Sequence, residues 1–86
     1  MEELIKELEA LVDESRVERA RGEGDDRRLA RRLHVALERA RRRGILYGNT
    51  PEQAFEVRIV APGEVEVLVR KPPRSPSGLT LRFHRP

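Results

Sequence analysis

The sequence predicts an α+β protein with a two-layer ααβββ arrangement, an antiparallel helix pair packed on one face of a three-stranded antiparallel sheet. Three observations carry that expectation. Two stretches of helical periodicity come first, divided by glycines. An alternating stretch from Phe55 to Arg70 then turns back on itself at a proline and a glycine, and a further alternating run follows. The 86 residues suit one domain, 1–86, and no internal repeat or second boundary is visible.

The hairpin organises the rest. Phe55, Val57 and Ile59 alternate with Glu56, Arg58 and Val60, and Val65, Val67 and Val69 alternate with Glu64, Glu66, Leu68 and Arg70. Period two means one buried face. Both apolar sets fall on odd positions, so paired residue numbers must sum to an even number and the loop must be odd. Loops at 61–63 and at 62–64 both satisfy this, with Pro62 and Gly63 supplying the turn chemistry.

Helix one is expected from about Glu2 to Arg21, with Leu4, Leu8, Leu11, Val12 and Ser15 as its stripe and Ile5 beside it. Beyond Ser15 the stripe fails, and Ser15 to Glu18 has the form of a capping box, where a kink or restart would fit. Gly22, Glu23 and Gly24 read as a stop and loop, and Asp25 and Asp26 as the start of helix two. That helix buries Leu29, Leu33, Ala36, Leu37 and Ala40 and ends at Gly44. Both helices begin acidic and end basic, and a short loop makes them antiparallel. This should bring Arg41, Arg42 and Arg43 near Glu2, Glu3 and Glu7.

After Gly44, Ile45 is expected to fold back onto the core, with Leu46 and Tyr47 in a short strand or a partly exposed loop. Thr50, Pro51, Glu52 and Gln53 resemble a helix start with room for one turn. Lys71 to Gly78 is a proline- and serine-rich connection, and Leu79 to His84 forms the last strand, with Leu79, Leu81 and Phe83 inward. The connection is long, so two places remain open for that strand, beside the second strand or beside the first.

Charge and composition exclude several classes. Without cysteine there is no disulfide or thiolate-metal framework, and no apolar run approaches the roughly 20 residues of a membrane span. The acidic N-terminus lacks the form of a secretory signal, so a soluble chain is expected, its compartment undefined. Residues 27–43 carry eight arginines and one glutamate, while residues 1–14 carry six acids and one lysine. His34 and His84 should sit on opposite sides of the molecule, too few for a zinc site. Ser15, Ser75 and Ser77 have no base at nucleophile spacing, and no glycine-rich phosphate loop follows a strand. No cofactor, metal or catalytic residue is expected, and the chain is read as a non-enzyme.

EELIKELEALVDES, the acid-first and base-last helices, GEGDD, APGEVEV and the even alternation together resemble a computationally designed protein, in which each local rule agrees with the fold. The resemblance is one of style. It implies a scaffold or a binding module, produced in a recombinant cytoplasm, and carries no family activity with it. The strong arginine bias and the irregular segments 45–54 and 71–78 depart from that style. Two helices before an antiparallel sheet also resemble small RNA-cleaving bacterial toxins, but the leading strand is missing and no residue matches.

Helices cover one sheet face, so the other should show Glu56, Arg58, Val60, Glu64, Glu66, Leu68, Arg70, Thr80, Arg82 and His84. Arg58, Val60, Leu68, Arg70, Thr80, Arg82 and His84 form the candidate surface for a protein or peptide partner, or for a homo-oligomer through the sheet edge. The alternative is nucleic-acid binding through Arg28, Arg31, Arg32, Arg39 and Arg42 around Val35 on helix two, with Arg70, Lys71, Arg74, Arg82 and Arg85 as a second basic cluster. Three aromatic residues give no stacking platform for that reading.

Overall fold

The computed structural model describes residues 2–70 and 79–84, the last strand's two end residues by backbone alone. Helices α1 (Glu2–Ala20) and α2 (Asp26–Arg42) and a single turn, α3 (Pro51–Ala54), precede strands β1 (Phe55–Ala61), β2 (Glu64–Val69) and β3 (Leu79–His84). The sheet is antiparallel in the order β1-β2-β3. The last strand therefore lies beside the second and β2 is central, which resolves the open strand order. The connection 71–78, with Lys71, Arg74, Ser75 and Ser77, lies outside the described residues, as do Arg85 and the side chain of His84.

One core joins the layers. Leu4, Leu8 and Val12 of α1 meet Leu29, Leu33, Ala36, Leu37 and Ala40 of α2, and both sets close over Phe55, Val65, Val67 and Val69. The central strand is the best covered: Val65, Val67 and Val69 are all buried, whereas Val57 on one flank and Leu81 and Phe83 on the other are half-buried. Burying apolar area at about 25 cal/mol per Å² favours this layering over any that would expose the valines.

α1 is one continuous helix, without the restart allowed for at Ser15. Ser15 itself is buried, and beyond it polar contacts replace the missing stripe. Arg32 of α2 donates to Glu18 at 2.7 Å and stands 3.6 Å from Glu14, so the second half of α1 is held by ion pairs. At its end Glu23 N–H bonds Glu18 C=O and Gly22 N–H bonds Arg19 C=O, the Schellman pattern. α2 starts as expected, with the Asp25 carboxylate accepting from Arg28 N–H at 2.7 Å.

Two expectations about apolar residues are corrected. Ile45 is 46% exposed and Leu46 is buried, the reverse of the expected order. The cause is a second Schellman motif: Ile45 N–H bonds Ala40 C=O and Gly44 N–H bonds Arg41 C=O. Ile45 is thereby fixed over the last turn of α2, and the reversing chain directs the next side chain inward. Ile59 points to the helix side, opposite Val65, yet is 44% exposed, because the helices leave this corner of the flanking strand open.

The hairpin keeps the even register from Phe55↔Val69 to Ile59↔Val65 and then shifts, so that Ala61 pairs with Glu64. Val60 is the extra residue of a β-bulge. Neither the 61–63 nor the 62–64 loop forms: the turn is two residues, Pro62 and Gly63, and the extra residue at Val60 is what keeps the even register below it. Gly63 has φ +79 after Pro62, which suits the second corner of a type II turn, and the bulge reconciles that turn with the twist of the strands.

Candidate protein-binding surface

The sheet face away from the helices is laid out in rows by the register. Glu56, Leu68 and Thr80 form one row, and Arg58, Glu66 and Arg82 the next. Glu64 stands at the turn end beside the bulged Val60. Charges on neighbouring strands alternate. Arg82 donates through Nε to Glu66 at 3.1 Å, and Arg70 donates through Nη2 to Glu56 at 3.2 Å and through Nε to the Glu52 carbonyl at 3.1 Å. Arg58 pairs along its own strand with Glu56 at 3.1 Å. These pairs lie on an open face and contribute little to stability, so their guanidinium groups are free to re-pair with an incoming partner.

Apolar surface interrupts that pattern. Val60 is 49% exposed and Leu68 half-buried, and Val60, Glu64, Val65, Glu66, Arg82 and Phe83 line a hollow of about 280 Å³. Of the expected surface residues, Arg58, Arg70, Thr80 and Arg82 are exposed on this side. Arg70 stands past the end of β2, held toward Glu52 of α3 just before β1, and so borders the sheet more than its centre.

A free sheet edge is expected from the sequence, but which strand supplies it is not, and the order β1-β2-β3 places β1 at one. Among the described residues β1 has a strand on one side only. Arg70 N–H bonds Ala54 C=O at 2.9 Å, and Phe55 N–H turns the other way to Pro51 C=O. In an antiparallel ladder the bonding direction alternates, so Glu56 and Arg58 bond β2 while Val57 and Ile59 aim N–H and C=O outward, together with the Phe55 carbonyl. No lysine or proline guards the stretch from Phe55 to Ile59, and only the bulge at Val60 interrupts it.

The alternative phosphate surface is partly neutralised. Glu18 takes Arg32 and stands 3.9 Å from Arg28, and Arg42 donates to Glu38 at 3.4 Å. Arg31 and Arg39 line a groove between α1 and α2 with Glu7, Leu11, Glu14 and Val35, so acids lie among these arginines.

The helix ends also differ from expectation. Arg39 and Arg43 share a crevice with Glu3 and Glu7. Arg41 instead reaches Glu38 on its own helix through Nε at 2.7 Å and through Nη2, and donates to the Asn49 carbonyl at 3.0 Å. Arg42 joins the same carboxylate, so Arg41 and Arg42 are drawn away from Glu2, Glu3 and Glu7 by a nearer acid. The hydrogen bond from Arg41 holds the Glu38 carboxyl below its ordinary pKa, against the opposing effect of burial, and Glu38 raises that of Arg41.

His34 lies edge-on to Phe55, ring centroids 5.0 Å apart. No three His, Asp or Glu side chains among the described residues gather as metal ligands would, and no described helix is long and apolar enough to cross a membrane. Comparison with protein-family models, with curated proteins and with solved structures finds no match to this chain.

Proposed function

We propose that the chain is a protein- or peptide-binding module that takes an extended segment as a fourth strand along β1, with no catalytic activity of its own. The observation that carries this reading is the outward main chain of Val57 and Ile59 beside the exposed side chains of Ile59 and Val60. Backbone bonds would supply affinity, and the charged rows of Arg58 and Glu56, with Arg70 at the border, would select the incoming side chains. Val60, Leu68, Thr80 and Arg82 extend that surface across the outer face. The agreement of caps, turn and alternation supports the further reading that the module was designed.

The test is amide hydrogen exchange with and without a panel of eight-residue peptides alternating aliphatic and charged residues. Slowed exchange at Val57 and Ile59 is expected for a subset. No change there with any peptide at millimolar concentration would sink strand addition. The phosphate reading is less favoured because Arg28, Arg32 and Arg42 already face carboxylates. Titrating a labelled DNA duplex and a single strand at two salt concentrations checks it, since phosphate contacts weaken steeply with salt.

A further inference from the structure

The sequence of β1 carries its own complement. Only residues whose main chain faces outward can bond across a new edge, so Phe55, Val57 and Ile59 must lie opposite one another in any antiparallel pairing of two copies. Slipping by one residue loses the bonds. The two-fold axes that keep a useful overlap then pass through position 56, 57 or 58. An axis at 56 sets Glu56 against Glu56, and one at 58 sets Arg58 against Arg58. An axis at 57 sets Glu56 against Arg58 twice.

We infer that the strand β1 takes is that of a second copy of this chain, joined antiparallel about a two-fold axis at Val57, so that Glu56 of each copy faces Arg58 of the other. The inference rests on the reading of β1 as the pairing edge. Val57 exchanges both its main-chain bonds with the second copy's Val57, and each Ile59 N–H reaches a Phe55 carbonyl, the Phe55 N–H being already held by Pro51. Glu56 and Arg58 fall at non-hydrogen-bonded positions, where opposed Cα atoms come within roughly 4.5 Å and side chains meet most closely. On the helix side Val57 packs against its counterpart and the exposed Ile59 against Phe55, so apolar surface now in water is covered. The flank of α2 that approaches β1 bears His34, in contact with Phe55, and one turn earlier the small side chain of Ala30, which gives the second copy's helix room. The bulge at Val60 ends the pairing, so the interface is a short one fixed by charge.

Sedimentation of the full chain and of the variants E56R and R58E tests this. The parent chain should dimerise at high micromolar concentration and less readily as salt rises. Each variant alone opposes like charges and should weaken self-association roughly tenfold or more. Mixed in equal amounts, the two variants are complementary at both contacts and should form a heterodimer. The inference is overturned by a parent chain monomeric at millimolar concentration, by variants that associate as the parent does, or by a mixture that stays monomeric. If the chain is monomeric while peptides still protect Val57 and Ile59, self-pairing is wrong and strand addition stands. If neither occurs, both are wrong.

Discussion

Gly63 donates its amide hydrogen to the carboxylate of Asp26 at 3.1 Å, tying the hairpin turn to the first residue of α2 across 37 positions of sequence. Gly63 is buried, so this amide has no water to fall back on. Asp26→Ala should cost about 1–3 kcal/mol, the penalty for stranding a buried donor. Urea denaturation of both chains measures it, and a midpoint shift at constant slope is the expected result.

The reversed pair at the end of α2 gives a sharp contrast. Leu46→Ala should destabilise by about 2–5 kcal/mol as a core truncation, and Ile45→Ala by less than about 1 kcal/mol. Equal losses in thermal unfolding would contradict the Schellman geometry that exposes Ile45.

Gly48 has φ +112, and a Cβ placed there would stand 2.8 Å from the Cβ of Gln53 and 3.2 Å from the amide nitrogen of Ala54. Gly48→Ala should therefore cost about 1–3 kcal/mol through strain. The same variant should disturb α3, where Asn49 N–H bonds the Gln53 side chain at 2.8 Å, and NMR shifts of residues 49–54 report it.

Glu38 sets an acid limit. Its carboxyl is more acidic in the folded chain than when unfolded, because Arg41 and Arg42 bond the ionised form. Its contribution is thus complete above the ordinary carboxylate range and is lost as pH falls through the lowered folded value. Glu38→Gln should be less stable than the parent at neutral pH, with the difference shrinking on acidification. Unfolding curves between neutral and acid pH would show the two converge. A gap that widens toward acid would refute the assignment.

Most of the fold was legible because period and punctuation agreed. The alternation of Phe55 to Arg70, the stripe from Leu29 to Ala40 and the caps at Asp25 and Gly44 are local signals, and each survived folding. What was not legible depended on contacts between distant residues. Parity demanded an odd loop but could not distinguish three turn residues from two plus a bulge at Val60. The exposure of Ile59 depends on where α2 ends its cover, and the attachment of Arg41 on whether Glu38 or the acids of α1 lie nearer. The candidate surface was half legible: alternation placed Arg58, Thr80 and Arg82 outside, but only the ladder revealed which amides of β1 are unspent.

Because β2 is central, the ribbon terminates twice among the described residues, and its terminations are not equivalent. Were β1 of one molecule to seize β3 of the next, growth would have no natural stop and fibres would follow. Joining like to like, as inferred for β1, would consume one terminus per molecule and close the assembly at two. On the inference of self-pairing, the order of one acid and one base along β1 would govern how large the particle becomes.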